Sequence, residues 1–408
     1  MRARALTTLS RLLATLTLPI AATGCYLSHE RERAPLDPPA CVSLPVTSCD
    51  AWEAAGEPRR LTGSAEPADY VRLGSAVAID CEVLVSWLVS TDRRGTRTAR
   101  YETRVISASG DPVGPIEAHP SLTSESPSWS GLALAMNDRR VGGLVERGSR
   151  CHFVPLDTQG RELGSPVEVG RDVSCRGLDT SGDGFSFVVS TGSAGIELVT
   201  VDERGATRAR TELPIPGGRT WSSRTRFEDG SFLSYSFTQD FLTSTYTGWL
   251  QRFDEAGAPL ADELELGENG VRVDVAPTAD GALATWMTVA SGGQPVRLRP
   301  IDRDGRATAT TRDVPAEGAL YSLVIRSTPD GGALLAWEES HHDGDPEWRL
   351  RLQSLRADGT PRGEPTTVLT GTHPESWELL VDPSGVRALL VFDRDSRAVD
   401  ALPLRCAG

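Results

Sequence analysis

The sequence predicts an all-β fold, a seven-bladed β-propeller of four-stranded blades, on three observations. A unit of roughly fifty residues recurs from Gly56 onward. Each unit but the last carries two tight-turn signatures, and the segments between turns are either alternating or short and wholly apolar, as strands are. No long stretch shows the 3.6-residue period of a helix. Several short, evenly spaced strands per repeat are typical of a propeller.

The first turn signature joins the first two strands of each unit and sets the number of blades at seven. Clear copies lie at Asp183-Gly184, Asp229-Gly230, Asp280-Gly281, Asp330-Gly331 and Ser384-Gly385, with looser copies near Asp80 and Asp138. Six or eight blades, or two stacked β-sandwiches, are the alternatives. The even spacing disfavours sandwiches.

The second signature is a hairpin turn whose last residue is a glycine that adopts positive φ. Its copies end at Gly110, Gly160, Gly205, Gly257, Gly305 and Gly359. There are six hairpin signatures but seven units. The last unit, Glu375–Arg405, has no such hairpin and therefore lacks a fourth strand. We expect the segment Glu57–Leu61 to pair with Arg397–Leu404, so that the N-terminus closes the last blade and leaves no open sheet edge.

The N-terminus has the features of an export signal. Arg2 and Arg4 precede an apolar stretch, Leu12–Ala22, that is short for a membrane span. The stretch ends in Ala22-Thr23-Gly24-Cys25, which resembles the bacterial lipobox, in which the cysteine is lipidated and becomes the mature N-terminus. A plain cleaved signal and a transmembrane anchor are the alternatives.

The lipobox divides the chain into a lipoprotein signal peptide (residues 1–24), a proline-rich tether (25–55) and the propeller (56–408). This layout resembles that of bacterial β-propeller lipoproteins. The resemblance implies a lipid anchor in a bacterial membrane, and Tyr26 after the lipidated Cys25 favours the outer membrane. It implies no particular activity, because a fold alone does not fix function.

Composition excludes several functions. The formal net charge is −14, and all 42 basic residues are arginine, so lysine chemistry such as Schiff-base formation is absent. An acidic chain without a basic run is a poor nucleic-acid binder, since phosphate neutralisation supplies most of that affinity. We expect a monomer attached to the membrane through its lipid alone.

Six cysteines remain beyond Cys25, and an even number in an exported protein indicates disulfides. From their positions relative to the turns, we predict Cys41–Cys49, Cys81–Cys406 and Cys151–Cys175. The alternative for the first two is Cys49–Cys406 with Cys41–Cys81.

Strand direction assigns functional residues to one end of the propeller. With strands lettered A to D from axis to rim, the A–B and C–D turns lie on one end, the bottom face, and the B–C and D–A loops on the other, the top face. Binding residues usually lie in the variable loops of a rigid scaffold, here the top face. Five aromatic residues precede or begin the A strands and are candidate ligand-stacking residues: Tyr70, Trp129, Trp221, Tyr321 and Trp377. The alternative is that they pack between blades.

Histidines and aspartates of the same loops are candidate ligands for a divalent metal, against the alternative of solvated loop residues. They are His119 and His373 in D–A loops, and His341, His342, Asp343 and Asp345 in one B–C loop. We find no nucleophile elbow and name no catalytic residue or required cofactor. The sequence therefore favours a binding or scaffold module for an envelope protein or glycan, with a metal-assisted hydrolase or lactonase at the propeller mouth as the alternative.

Overall fold

The structure is a computed structural model that describes residues 48–407 apart from short gaps. The gaps lie at 64–68, 94–95, 125–130, 191–194, 216–219, 228–229, 241–244, 269, 289–294, 341–346, 372–373, 375, 382–386 and 395–396. All described residues belong to the compact unit Ala40–Gly408. They form strands and turns, and none of them lies in a helix that is long and apolar enough to cross a membrane.

The described strands form seven antiparallel sheets that follow one another along the chain, each with its first strand innermost. The A strands of successive blades contact one another, and the A strand of blade 7 contacts that of blade 1, which closes the ring. The protein is a seven-bladed β-propeller, as the repeat predicts.

Two short strands, β1 (Trp52–Ala54) and β2 (Arg59–Arg60), precede the first complete blade. Blade 1 consists of β3 (Asp69–Ile79), β4 (Glu82–Arg93), β5 (Thr96–Ser107) and β6 (Glu117–Ser124). Blade 2 consists of β7 (Ala133–Met136), β8 (Val141–Arg147), β9 (Arg150–Leu156) and β10 (Val167–Arg171). Blade 3 consists of β11 (Ser174–Ser181), β12 (Gly184–Ser190), β13 (Ile196–Val201) and β14 (Thr207–Leu213). Blades 4 and 5 consist of β15 (Thr220–Phe227), β16 (Gly230–Asp240), β17 (Thr245–Asp254) and β18 (Leu264–Glu268); and β19 (Gly270–Thr278), β20 (Gly281–Thr288), β21 (Val296–Ile301) and β22 (Arg312–Val314). Blades 6 and 7 consist of β23 (Ala319–Ser327), β24 (Ala333–Ser340), β25 (Trp348–Leu355) and β26 (Pro361–Thr370); and β27 (Trp377–Val381), β28 (Arg387–Arg394) and β29 (Ala398–Cys406).

The N-terminal segment supplies the fourth strand of blade 7. Arg59 pairs with Ala401 and Arg60 with Asp400, which confirms the predicted closure. The segment pairs further toward the N-terminus than predicted, because β1 also lies against the end of β29, with Trp52 opposite Cys406. The chain therefore joins the ring at the bottom face, where strand C of each other blade ends in its C–D turn.

The six predicted hairpin glycines all adopt positive φ, between 76° and 95°. In each turn the glycine N–H donates to the carbonyl three residues earlier, as from Gly205 to Asp202 at 3.0 Å. Each glycine lies against the preceding blade: a Cβ on Gly205 would meet Phe153 of blade 2 at 2.8 Å. The hairpin signature thus marks contacts between blades as well as turns within them.

The core lies between the blades. Within the described chain, the buried apolar side chains form seven clusters, and each cluster is shared by two neighbouring blades. The B strands have a blade face on both sides, and every residue of β20 is buried. This explains why these strands are small and apolar at successive positions instead of alternating.

Candidate functional site

The exposed aromatic site of the described top face lies at blade 6. Tyr321, the third residue of β23, keeps 41% of its surface exposed. Its ring centroid lies 4.2 Å from that of Trp348, with the planes inclined at 60°. Trp348 begins strand C directly opposite Ser340, the last residue of strand B, and the Ser340 hydroxyl lies 3.4 Å from the Tyr321 hydroxyl. The end of strand B and the starts of strands A and C thus hold an aromatic pair at the surface.

The other predicted aromatics do not form a described ring around the mouth. Tyr70 is half-buried at the start of β3, where it pairs with Ser90. The backbone of Trp221 pairs with Tyr235 in blade 4, but the side chain of Trp221 lies outside the described atoms. Trp129 lies outside the described residues.

Trp377 belongs to the core. It is 7% exposed and packs in the cluster between blades 6 and 7, together with Leu379 and Trp52. For this residue, packing between blades is the observed arrangement and ligand stacking is not. Its Nε1 has no hydrogen-bond partner among the described residues.

His119 is not in a top-face loop, so its predicted placement was wrong. It lies in strand D of blade 1, opposite Tyr101, and is 1% exposed. The strand continues through Pro120 because an outermost strand needs no N–H partner on its open side. His119 therefore lies at the seam, the packed boundary, between blades 1 and 2, away from the mouth of the propeller.

The surroundings of His119 are polar but enclosed. Nε2 lies 3.1 Å from the Thr103 hydroxyl, and Nδ1 lies 3.4 Å from Oε1 of Glu162 in blade 2. Burial lowers the pKa of His119, although the attraction of Glu162 acts in the opposite direction. A neutral imidazole is therefore favoured at this seam.

The remaining predicted metal ligands, His341, His342, Asp343, Asp345 and His373, lie outside the described residues. Among the residues that the structure does describe, no three His, Cys, Asp or Glu side chains are grouped so that they could hold a metal ion.

A network of alternating charges supports the top of blade 6 on the side facing blade 5. The buried Glu339 accepts from the Trp337 indole at 3.0 Å and from Arg351 at 3.2 Å. Arg351 also pairs with Glu317 of the D–A segment at 3.1 Å, and Glu317 pairs with Arg349 at 3.4 Å. The network joins strands B and C to the incoming loop and holds the edge of the blade that carries Tyr321.

A second charge network crosses the innermost strands. Arg326 of β23 pairs with Asp274 of β19 at 3.0 Å and with Glu378 of β27 at 3.3 Å. Burial raises the pKa of Glu378, while Arg326 beside it acts to lower it. The triad links blades 5, 6 and 7 near the axis. Sequence reasoning missed it, although charged residues of opposite sign in the A strands of three successive blades were a usable signal.

The disulfides differ in part from the prediction. Cys151 is joined to Cys175 as predicted, across the seam between blades 2 and 3. Cys49 is joined to Cys406, as in the alternative pairing, so the preferred pairs Cys41–Cys49 and Cys81–Cys406 were wrong. The physical reason is the early start of β1, which places Cys49 beside the end of β29. Cys81 also forms a disulfide, whose other half lies outside the described residues.

Comparison with known proteins supports the fold and nothing finer. No protein-family model matches the chain, and no curated protein matches it. A protein of unknown function from Dyadobacter fermentans is similar at 11% identity and a TM-score of 0.51, over 87% of this chain and 99% of that one. The β-propeller domain of the Trilobed protease from Pyrococcus furiosus, described as having an open velcro topology, is similar at 9% identity and a TM-score of 0.52, over 82% of this chain and 95% of that one. At such identities the likeness concerns the fold alone.

Proposed function

We propose that this protein is a lipid-anchored, non-catalytic binding module of the bacterial envelope, and that its top face binds an envelope protein or glycan. One observation carries the proposal: the aromatic pair of exposed Tyr321 and half-buried Trp348 lies at the end opposite to the one where the chain joins the ring. An anchor at Cys25 therefore leaves the aromatic site directed away from the membrane.

The local structure supports a binding role for this site. Tyr and Trp offer large, rigid contact area together with a polar group, which suits both sugar rings and peptide side chains. The pair stands at strand termini, and Trp348 directly precedes Arg349, which pairs with Glu317, so little conformational freedom would be lost on binding.

The anchor is tested by metabolic labelling with a tritiated fatty acid in a Gram-negative host. We expect label in the wild-type protein and none in Cys25→Ser, with the wild-type protein in the outer-membrane fraction. Label that persists in the variant would contradict lipidation at Cys25.

The top-face site is tested by quantitative binding. Once a protein or glycan is captured from envelope extracts, its affinity is measured for wild type, Tyr321→Ala and Tyr321→Phe. Loss of a central aromatic contact should weaken binding tenfold or more, about 1.4 kcal/mol, whereas phenylalanine should retain most of the affinity. Gln159→Ala on the bottom face is the matched control, and equal affinity of all variants would refute the site. The metal-assisted hydrolase stays a prediction of the sequence, tested by metal analysis of protein purified without chelators.

A further inference from the structure

One position of the repeat carries three of the four large hydrophobic side chains that are exposed in the described chain. It is the third residue after the hairpin glycine, on the bottom face. Blades 1, 2 and 4 have Val113, Leu163 and Leu260 there, exposed by 55%, 48% and 41%. The only other large apolar side chain exposed among the described residues is Tyr321. Single exposed apolar residues are ordinary, but three at one repeat position are a pattern.

The fold does not require an apolar residue at this position. Blade 5 has Thr308 there, and its N–H donates to the C strand at 3.1 Å, as the N–H groups of Val113 and Leu163 do at 3.0 and 2.9 Å. In blade 3 the position is Arg208, which pairs with Asp183 of the same blade. Because the backbone geometry is shared and polar residues are accepted, folding alone does not explain Val113, Leu163 and Leu260.

The bottom face is also the end where the chain joins the ring. Cys49 is linked to Cys406 there, at the end of β29. The predicted tether between the lipidated cysteine and Cys49 has 23 residues, which extend at most about 80 Å. The three exposed apolar residues therefore face the same side as the anchored end of the chain.

Arginines accompany the two leucines. Leu163 lines a groove of about 470 Å³ together with Arg140 and with Glu203 and Arg204 of the next blade. Leu260 lines an equivalent groove of about 610 Å³ with Asp262 and Glu263 of its own blade and with Arg306 of the next blade. An apolar residue beside a guanidinium suits the boundary between acyl chains and phosphate head groups.

We propose that the bottom face docks on the surface of the lipid bilayer, with Val113, Leu163 and Leu260 inserted at the head-group boundary. This inference rests on the lipid anchor of the proposed function. The three residues belong to different blades, so a flat, extended partner contacts all of them, whereas a compact ligand at one groove does not. Tethering makes the contact intramolecular, so that weak insertion suffices. Docking fixes the top face away from the membrane.

The test uses the full lipidated protein on a supported bilayer of phosphatidylethanolamine and phosphatidylglycerol, with neutron reflectometry as the readout. The variant replaces Val113, Leu163 and Leu260 by threonine, the residue that blade 5 already has at this position. The control replaces them by isoleucine. We expect protein density directly at the head groups for wild type and control, and a water layer of tens of ångströms, within the reach of about 80 Å, for the threonine variant.

Equal profiles for wild type and threonine variant would overturn docking while leaving the anchor intact. Protein that fails to stay on the bilayer at all would refute the anchor, and docking with it. Thermal unfolding of each variant confirms that the propeller is folded before its position is interpreted.

Discussion

The hairpin glycines permit a direct test of how the blades are held together, and Gly205 is the most informative of them. Its φ of +86° is unfavourable for a residue with a side chain. A Cβ at this position would lie 2.8 Å from Phe153 and 3.2 Å from Val167, both in the preceding blade. Gly205→Ala therefore combines a backbone cost with a clash across the seam.

Gly148 separates the two costs. It has a φ of +61° in the turn between β8 and β9, and a Cβ there would meet nothing within 4 Å. Alanine in the left-handed region costs about 1–2 kcal/mol, and overpacking a filled seam adds about 1–3 kcal/mol. We expect Gly148→Ala to lower the free energy of unfolding by about 1–2 kcal/mol and Gly205→Ala by about 2–5 kcal/mol, measured by urea denaturation.

A double mutant identifies the clash itself. Leucine at Phe153 makes room on the far side of the seam, so Gly205→Ala should cost at least about 0.5 kcal/mol less in the Phe153→Leu background. If Gly205→Ala costs no more than Gly148→Ala, or if Phe153→Leu gives no relief, the turn is not packed on blade 2 as described.

Two further predictions concern the Cys49–Cys406 disulfide and His119. The disulfide Cys49–Cys406 closes a sequence separation of 357 and Cys151–Cys175 one of 24, so replacing the first pair by serine should cost roughly 2 kcal/mol more on the chain-entropy model. Equal shifts of the urea midpoint would contradict this. Because burial lowers the pKa of His119, its contribution to stability is complete above its ordinary pKa of 6.5 and is lost as the pH falls below that value. His119→Gln should flatten the decline of the urea midpoint between about pH 7 and pH 5, and parallel declines in the two proteins would refute the assignment.

The repeat made the blades predictable because its turns are local. An Asp-Gly pair or a hairpin glycine fixes the backbone within four residues, so six hairpins and the missing fourth strand were readable from sequence. The closure followed from that count. The neighbouring blade determines which side chains surround a residue, and the local sequence does not predict those contacts. Trp377 illustrates this, since the cluster that buries it combines blades 6 and 7 with the N-terminal strand.

The errors have specific physical causes. The His119-Pro120 pair was interpreted as a loop because proline interrupts a strand with two neighbours, but an outermost strand has an open side. Cys49 was paired with Cys41 because β1 was missed: three residues opposite the end of β29 are too few to show a period. The aromatic pair was half predicted. Tyr321 was named, but Trp348, 27 positions further along the chain, became its neighbour only through the pairing of β24 with β25.

At the seam between blades 6 and 7, contacts of the N-terminal strand replace those of a hairpin glycine. At the other six seams a hairpin glycine of one blade packs on the blade before it. Blade 7 has no C–D turn, because its fourth strand comes from the N-terminus. There Trp52 packs on Leu334 and Leu352 of blade 6, and its indole donates to the Ser354 hydroxyl at 2.9 Å. Cys49–Cys406 then fixes the strand just before that contact. An anchored chain would transmit any pull from the membrane to this point first, and a covalent bond at the entrance of the strand carries that load before the hydrogen bonds of β1 do.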